Sequence, residues 1–327
     1  MPDRVLNWGL LSTARINREL IPVLKSSKRN RLTTVASRSL PAAQAYARKW
    51  AIPRFHGSYE ALIEDPEVQV IYNPLPNHLH ADWTIRALRA GKHVLCEKPL
   101  ALTVDEVDAM AAAARERGTV LSEAFMYRHH AQTLRVREIV ERGTLGQLQV
   151  IKGAFAFNLE RPGDIRLVRD MGGGSIWDVG CYPISYARML VGAEPLEVFG
   201  WQVLAESGVD VVFAGQLRFA DGVLSQFDCG FRSPERRYME IIGSQGSLYV
   251  PSPFRPGRNE KLELRRAGST ETIVIRGDEL YKGEVEDMAA AVLNGASPRV
   301  SLAESRGNIA AITALLESAR SGRPVRI

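Results

Sequence analysis

Over roughly the first 120 residues, short apolar, β-branched runs alternate with segments of helical period, the order expected of parallel strands joined by crossover helices. The pattern predicts strands at 5–11, 32–37, 68–72, 93–96 and 120–122, with amphipathic helices between them such as 41–50 and 81–90. Gly91 and Gly118 stand where two such helices should stop. The expected product is a doubly wound parallel sheet, which presents ligands at the carboxyl ends of its strands.

After Glu123 the rhythm changes. A helix is predicted at 133–142, a strand at 149–158, a helix at 175–190, then strands at 196–204, 209–219, 223–229, 238–242 and 247–250. Turn chemistry at Asp221-Gly222 and across Gly243-Ser244-Gln245-Gly246 joins some of these as hairpins. An open, mostly antiparallel sheet with helices on one face follows, and helices at 284–293 and 303–318 close the chain. The expected fold class is α/β, with a doubly wound domain over 1–122 and a C-terminal α+β domain over 123–327.

The length of 327 residues exceeds the usual reach of one hydrophobic core, in keeping with two domains. The 42 basic and 37 acidic residues leave a net charge of +5, but lysine and arginine are scattered, without a run that would track a phosphate backbone. Nucleic acid is therefore not an expected partner, and a small anionic ligand accounts for the excess equally well. Cys96, Cys181 and Cys229 lack zinc-site spacing, and their odd number suits a reducing compartment better than a disulfide framework. The histidines form no evident ligand cluster, so no metal is expected. Met1-Pro2-Asp3 leads straight into an apolar strand, and no apolar run is long enough to span a bilayer. A cytoplasmic protein without a membrane partner is the expectation.

The first strand runs into Gly9-Leu10-Leu11-Ser12-Thr13-Ala14-Arg15-Ile16-Asn17, where a dinucleotide fold places its phosphate-binding turn before a helix N-terminus. Ser12, Ala14 and Asn17 occupy the three glycine positions of Gly-x-Gly-x-x-Gly, so the plain pattern fails. Small side chains still permit close backbone approach. Gly9, Ser12, Thr13, Ala14, Arg15 and Ile16 are the candidate cofactor contacts here, although a strand-turn-helix with no ligand fits this turn by itself. The second strand ends in Ser37-Arg38, without the acidic residue that would accept from a ribose 2′-hydroxyl. Arg38 suits a 2′-phosphate, hence NADP over NAD, or is one more solvated surface charge. In Asn73-Pro74-Leu75-Pro76-Asn77-His78-Leu79-His80, the prolines fix an extended loop, and Pro76, Asn77 and His80 are further candidates. Asn77 is equally a helix cap.

Glu97 and Lys98 follow the strand at 93–96, which aims the lysine into whatever crevice that strand opens onto. Asp178 and Tyr182 stand four apart, on one face of a helix. A carboxylate, a phenol and an ammonium together can handle the proton of an alcohol. The competing account makes Asp178 a residue favoured by the helix dipole and Tyr182 ordinary packing. Gly180 and Pro183 weigh against that account, because a helix selected for stability avoids both. Arg166 lies on the loop before Gly172-Gly173-Gly174, within reach of a ligand or in a surface ion pair.

The turn Trp8-Gly9-Leu10-Leu11-Ser12-Thr13-Ala14, the loop Pro76-Asn77-His78-Leu79-His80, Glu97-Lys98-Pro99 and Asp178-Val179-Gly180-Cys181-Tyr182 occur in the order found in the Gfo/Idh/MocA oxidoreductases, a family this chain resembles over essentially its full length. Glu123-Ala124-Phe125-Met126-Tyr127-Arg128 and Gly172-Gly173-Gly174-Ser175-Ile176-Trp177-Asp178 look closest to its branch of glucose-fructose oxidoreductase, NADP-dependent D-xylose 1-dehydrogenase and dimeric dihydrodiol dehydrogenase. The resemblance implies a Rossmann domain, a substrate domain whose sheet mediates dimers or tetramers, and a catalytic Lys98. It also implies a tyrosine at 182 where much of the family has histidine, with Tyr127 and Phe157 walling a sugar site unless they are core aromatics. The expected activity is NADP-dependent oxidation of a sugar or polyol, foremost an aldose 1-dehydrogenase on D-xylose or D-glucose, with NAD as a second cofactor. The alternatives are reduction of a keto-sugar or dicarbonyl, trans-dihydrodiol oxidation, and a non-catalytic NADP-binding regulator.

Overall fold

The computed structural model describes residues 5–161 and 163–327, which form two compact units: the described residues up to 129 with 281–306, and those of 130–280 with 307–327. In the first unit the chain runs through β1 (Leu6–Leu10), α1 (Asn17–Ser26), β2 (Asn30–Ala36), α2 (Leu40–Trp50), β3 (Arg54–His56), α3 (Tyr59–Glu64), β4 (Val70–Asn73), α4 (His80–Arg89), β5 (His93–Glu97), α5 (Val104–Arg117) and β6 (Leu121–Ala124). The six strands are all parallel, in the order β3-β2-β1-β4-β5-β6. The direction of winding reverses between β1 and β4, the switch point beside which such sheets hold ligands.

Leu6, Trp8 and Leu10 are all buried in β1, as a strand covered on both faces requires. The buried Trp8 indole donates to Asn30 Oδ1 at 2.7 Å and so meets the rule that a buried donor needs a partner. Gly9 is a packing requirement, since a Cβ there would come within 2.8 Å of Leu62 Cδ1 on α3. Thr103 and Glu106 form a capping box that starts α5, and Gly118, at φ 61°, ends it.

The second unit contains α6 (Ala131–Glu141), β7 (Leu148–Ala156), α7 (Cys181–Val191), β8 (Glu197–Leu204), β9 (Asp210–Arg218), β10 (Leu224–Gly230), β11 (Arg236–Gly243), β12 (Gly246–Val250), β13 (Asn259–Arg266) and β14 (Ser269–Arg276). Helix α8 (Lys282–Asn294) belongs to the first unit, where Glu286 takes a forked contact from Arg29 at 2.7 and 2.9 Å. Helix α9 (Leu302–Ser321) and β15 (Val325–Arg326) follow. The nine strands lie in the order β14-β13-β12-β11-β7-β10-β9-β8-β15. Every pairing is antiparallel except β7 with β10, which makes a single parallel pair in the middle of the sheet. Alternate residues of β9 are buried and exposed from Phe213 onward, the mark of a sheet with one covered face. Trp201, 60% exposed on β8, lies on its open side.

Two details depart from the pattern-based expectation. The helix expected at 175–190 is two pieces: a π-helical turn, Ile176–Gly180, and then α7. Strands β13 and β14 depart from the expectation because their alternation is weak: β14 is a largely exposed edge, and β13 beside it buries only Leu262 and Leu264 among charged neighbours.

Candidate active site

In the first unit, the segment between β1 and α1 makes the expected turn. Ser12 is buried, its Oγ accepts from the Ala14 N–H at 3.2 Å, and its carbonyl accepts from Asn17 Nδ2 at 2.8 Å. Asn17, at the third glycine position, therefore braces the turn from within. No side chain caps the first turn of α1, while Thr13, Ala14 and Ile16 are partly exposed and Arg15 is exposed. A helix start with no side-chain cap, fronted by small side chains, suits a pyrophosphate. The turn thus fits a dinucleotide without the glycine signature. At the end of β2, Ser37 is partly exposed and Arg38 exposed, with the guanidinium against the Tyr59 hydroxyl.

Pro76 and Asn77 remain at the surface of the next loop, whereas His80 lies beneath it, 1% exposed. Its Nδ1 is 2.8 Å from the Pro99 carbonyl oxygen and its Nε2 2.7 Å from that of Leu75. Burial pushes this imidazole down to about 4, against the opposing pull of the two carbonyls. Both ring nitrogens face main chain, so His80 acts on the site by tying the loop after β4 to the loop after β5.

The Lys98 segment is fixed on both sides by carboxylates. Tyr72 donates its hydroxyl to Glu97 Oε1 at 2.5 Å, the Lys98 N–H reaches Glu97 Oε2 at 3.3 Å, and the Leu100 N–H donates to the buried Glu123 at 2.8 Å. Burial and then the charge of Glu97 raise the Tyr72 phenol well above its ordinary range, so it remains a permanent donor. Burial and the same charge hold Glu284, on α8, well above the usual carboxylate range. Tyr127 is completely buried, edge-on to Phe125 at 5.7 Å.

In the second unit two of the three glycines are required by crowding. A Cβ on Gly173 would lie 2.5 Å from the Arg166 carbonyl oxygen and 2.7 Å from that of Val168, and one on Gly174 would strike Asp210 Oδ1. Gly172 and Gly174 also take φ of 74° and 129°, which disfavour any side chain. The chain then enters the π turn that carries Asp178, an arrangement frequent at functional sites. Arg166 Nε donates to Asp178 Oδ2 at 2.6 Å, and its Nη1 reaches Asp164 Oδ1 at 3.2 Å. Asp178 foremost raises the Arg166 pKa, so this residue is a fixed cation beside the carboxylate. Arg166 was expected at the cofactor or in a surface pair; its guanidinium spans two acidic side chains of its own unit.

Tyr182 opens α7 and is 4% exposed, its ring against Phe155 at 5.3 Å and Phe254 at 5.5 Å. Phe157 is partly exposed and tilted against Phe231 at 5.4 Å. The sequence argument from Gly180 and Pro183 takes a different form here. A Cβ at Gly180 would come within 2.9 Å of Cys229 Sγ on β10, and Pro183 sits in the first turn of α7, where proline is tolerated. Both residues serve packing. Sequence reasoning missed Asp210, Ser175, Phe155, Phe254, Tyr72 and Glu123, whose roles arise from contacts distant in the chain. Among the described residues no helix is long and apolar enough to cross a membrane, and no cluster of histidine, cysteine and acidic residues is arranged to hold a metal.

Comparison with known proteins agrees with this geometry. Residues 6–125 match the oxidoreductase family with an NAD-binding Rossmann fold, and residues 133–249 match the GFO/IDH/MocA C-terminal domain. The chain belongs to the Gfo/Idh/MocA oxidoreductase family. It is 37% identical over 325 residues to a D-xylose 1-dehydrogenase (NADP+) of Haloferax volcanii, covering 98% of this chain and 99% of that one. Among solved structures it resembles a 3-ketoreductase from Actinomadura kijaniata in complex with NADP and TDP-benzene, at a TM-score of 0.91 and 31% identity over 96% of this chain and 98% of that one. An aldose-aldose oxidoreductase from Caulobacter crescentus, complexed with glycerol, superposes at a TM-score of 0.92 with 27% identity over 99% and 100%.

Proposed function

We propose that this oxidoreductase uses NADP to oxidise a hydroxyl-bearing carbon of a sugar or polyol, most specifically as an aldose 1-dehydrogenase on D-xylose or D-glucose. The observation that carries the reading is the full-length likeness to the Haloferax volcanii enzyme. Lys98, Asp178 and Tyr182 are its catalytic residues. When bound, NADP supplies a nicotinamide C4 that accepts hydride from the substrate carbon.

The residues of the chain handle the proton. Tyr182 Oη takes it from the substrate hydroxyl as hydride leaves the carbon beneath. A free phenol titrates at about pH 10, so the transfer needs its phenolate favoured, and that is the part assigned to the Lys98 ammonium. Asp178, steadied by Arg166, accepts from a second substrate hydroxyl. The Glu97 and Glu123 carboxylates hold the main chain on either side of Lys98, which fixes the point from which its side chain departs.

The likeness to the 3-ketoreductase favours a second reading, reduction of a keto-sugar, because the same proton and hydride machinery runs in both directions. A non-catalytic NADP-binding regulator is the reading from another class. Absorbance of reduced nicotinamide, followed with NADP over a panel of aldoses and polyols, separates them. Turnover on an aldose is expected, and tight NADP binding with no turnover in either direction would favour the regulator.

The exposed Arg38 is assigned to the 2′-phosphate. Arg38→Ala should raise the NADP dissociation constant about 10- to 100-fold, as loss of a charged hydrogen bond does, and leave NAD nearly unaffected. Equal weakening of both cofactors in titration calorimetry would remove the assignment. The open side of the second unit's sheet, with Trp201 on it, is proposed as the surface of a dimer or tetramer. A monomer by light scattering would overturn that.

A further inference from the structure

We infer that Asp210 is a positioning residue for the reaction: from β9 it anchors the start of the π turn that carries Asp178. This rests on the catalytic reading of Asp178 above.

Asp210 is 4% exposed, and one carboxylate oxygen, Oδ2, accepts both the Ser175 hydroxyl at 2.5 Å and the Ile176 N–H at 2.8 Å. These are the two residues that lead into Ile176–Gly180. The other oxygen, Oδ1, lies so close to Gly174 that only a residue without a side chain fits there. The carboxylate therefore fills the concavity left by the glycine turn and grips the next two residues. Helix starts are ordinarily capped by a residue just before them. Here no side chain of the turn's own N-cap does so, and the cap comes from 35 residues away.

The placement has a consequence for Asp178. Its main chain is set by the glycine turn and Asp210, and its carboxylate by Arg166, whose own carbonyl is packed against Gly173. Both constraints meet within the stretch 166–178, so a shift of the turn moves Asp178 and its arginine together. A displacement of about 1 Å at such a residue can cost about 100-fold in rate.

Asp210→Ala is expected to speed amide exchange across 172–182 at least about tenfold and lower kcat about 10- to 100-fold. NADP affinity, a property of the first unit, should hold. Asp210→Asn keeps the shape and one acceptor oxygen and should recover most of both losses, which mere loss of fold stability would not predict. Where Asp210→Ala does not fold, Ser175→Ala decides: it removes only the hydroxyl and should give faster exchange in 172–182 with reduced kcat. Unchanged exchange and turnover in Asp210→Ala, or in Ser175→Ala where that variant is the test, overturns the inference. Asp178→Asn distinguishes the two levels, because full turnover in that variant defeats the catalytic reading of Asp178 while the exchange result still judges the anchor.

Discussion

Tyr182→Phe is expected to lower kcat about 100- to 10,000-fold, the usual cost of losing a proton-transfer group, with NADP affinity nearly unchanged. The substitution removes one oxygen and leaves the ring, so the packing against Phe155 and Phe254 survives. Thermal stability should therefore stay close to that of the parent, which separates a chemical loss from a folding one. The proton role also predicts that the variant loses the alkaline gain in rate that accompanies phenolate formation. Unchanged turnover, measured by reduced-nicotinamide absorbance, would take Tyr182 out of the mechanism.

Lys98→Met is expected to cost about 100- to 1,000-fold in kcat, the scale seen when one preorganised donor at a reacting centre is removed. Methionine keeps the unbranched apolar stem without the ammonium, and the main chain at 98–100 remains held by Glu97 and Glu123. Lys98→Arg should not rescue, because a planar guanidinium does not reproduce a compact ammonium. If Lys98 acts by favouring the Tyr182 phenolate, the double variant should be no slower than the worse single one, since residues acting as a unit are not additive. Fully additive losses would show that the two side chains work independently.

How far these sites can be read from the sequence follows from the range of the interactions involved. Lys98 was legible because its position depends on β5, a local apolar run, and on a helix and strand before it. The spacing of Asp178 and Tyr182 suggested one helical face, but the π turn under Asp178 was not legible. It lies against Asp210 on β9 and, at Gly180, against Cys229 on β10, contacts that leave no periodic trace. The phosphate turn shows the reverse: the glycine pattern is absent, yet the Asn17 bond to the Ser12 carbonyl holds an equivalent geometry with different residues. His80 is a candidate ligand contact by its place in the loop after β4; its two carbonyl neighbours come from residues 75 and 99, the second far along the chain. The membership of α8 in the first unit is of the same kind, resting on Arg29 and Glu286.

The central claim is that hydride passes directly from a sugar carbon to NADP with Lys98 and Tyr182 managing the proton. It is tested most directly by incubating the protein with NADP and D-xylose deuterated at C1 and examining the reduced cofactor by proton NMR. The account predicts one deuterium at nicotinamide C4, on a single face, with transfer suppressed in Tyr182→Phe and Lys98→Met. Reduced cofactor free of deuterium, or equal transfer by both variants, would contradict it.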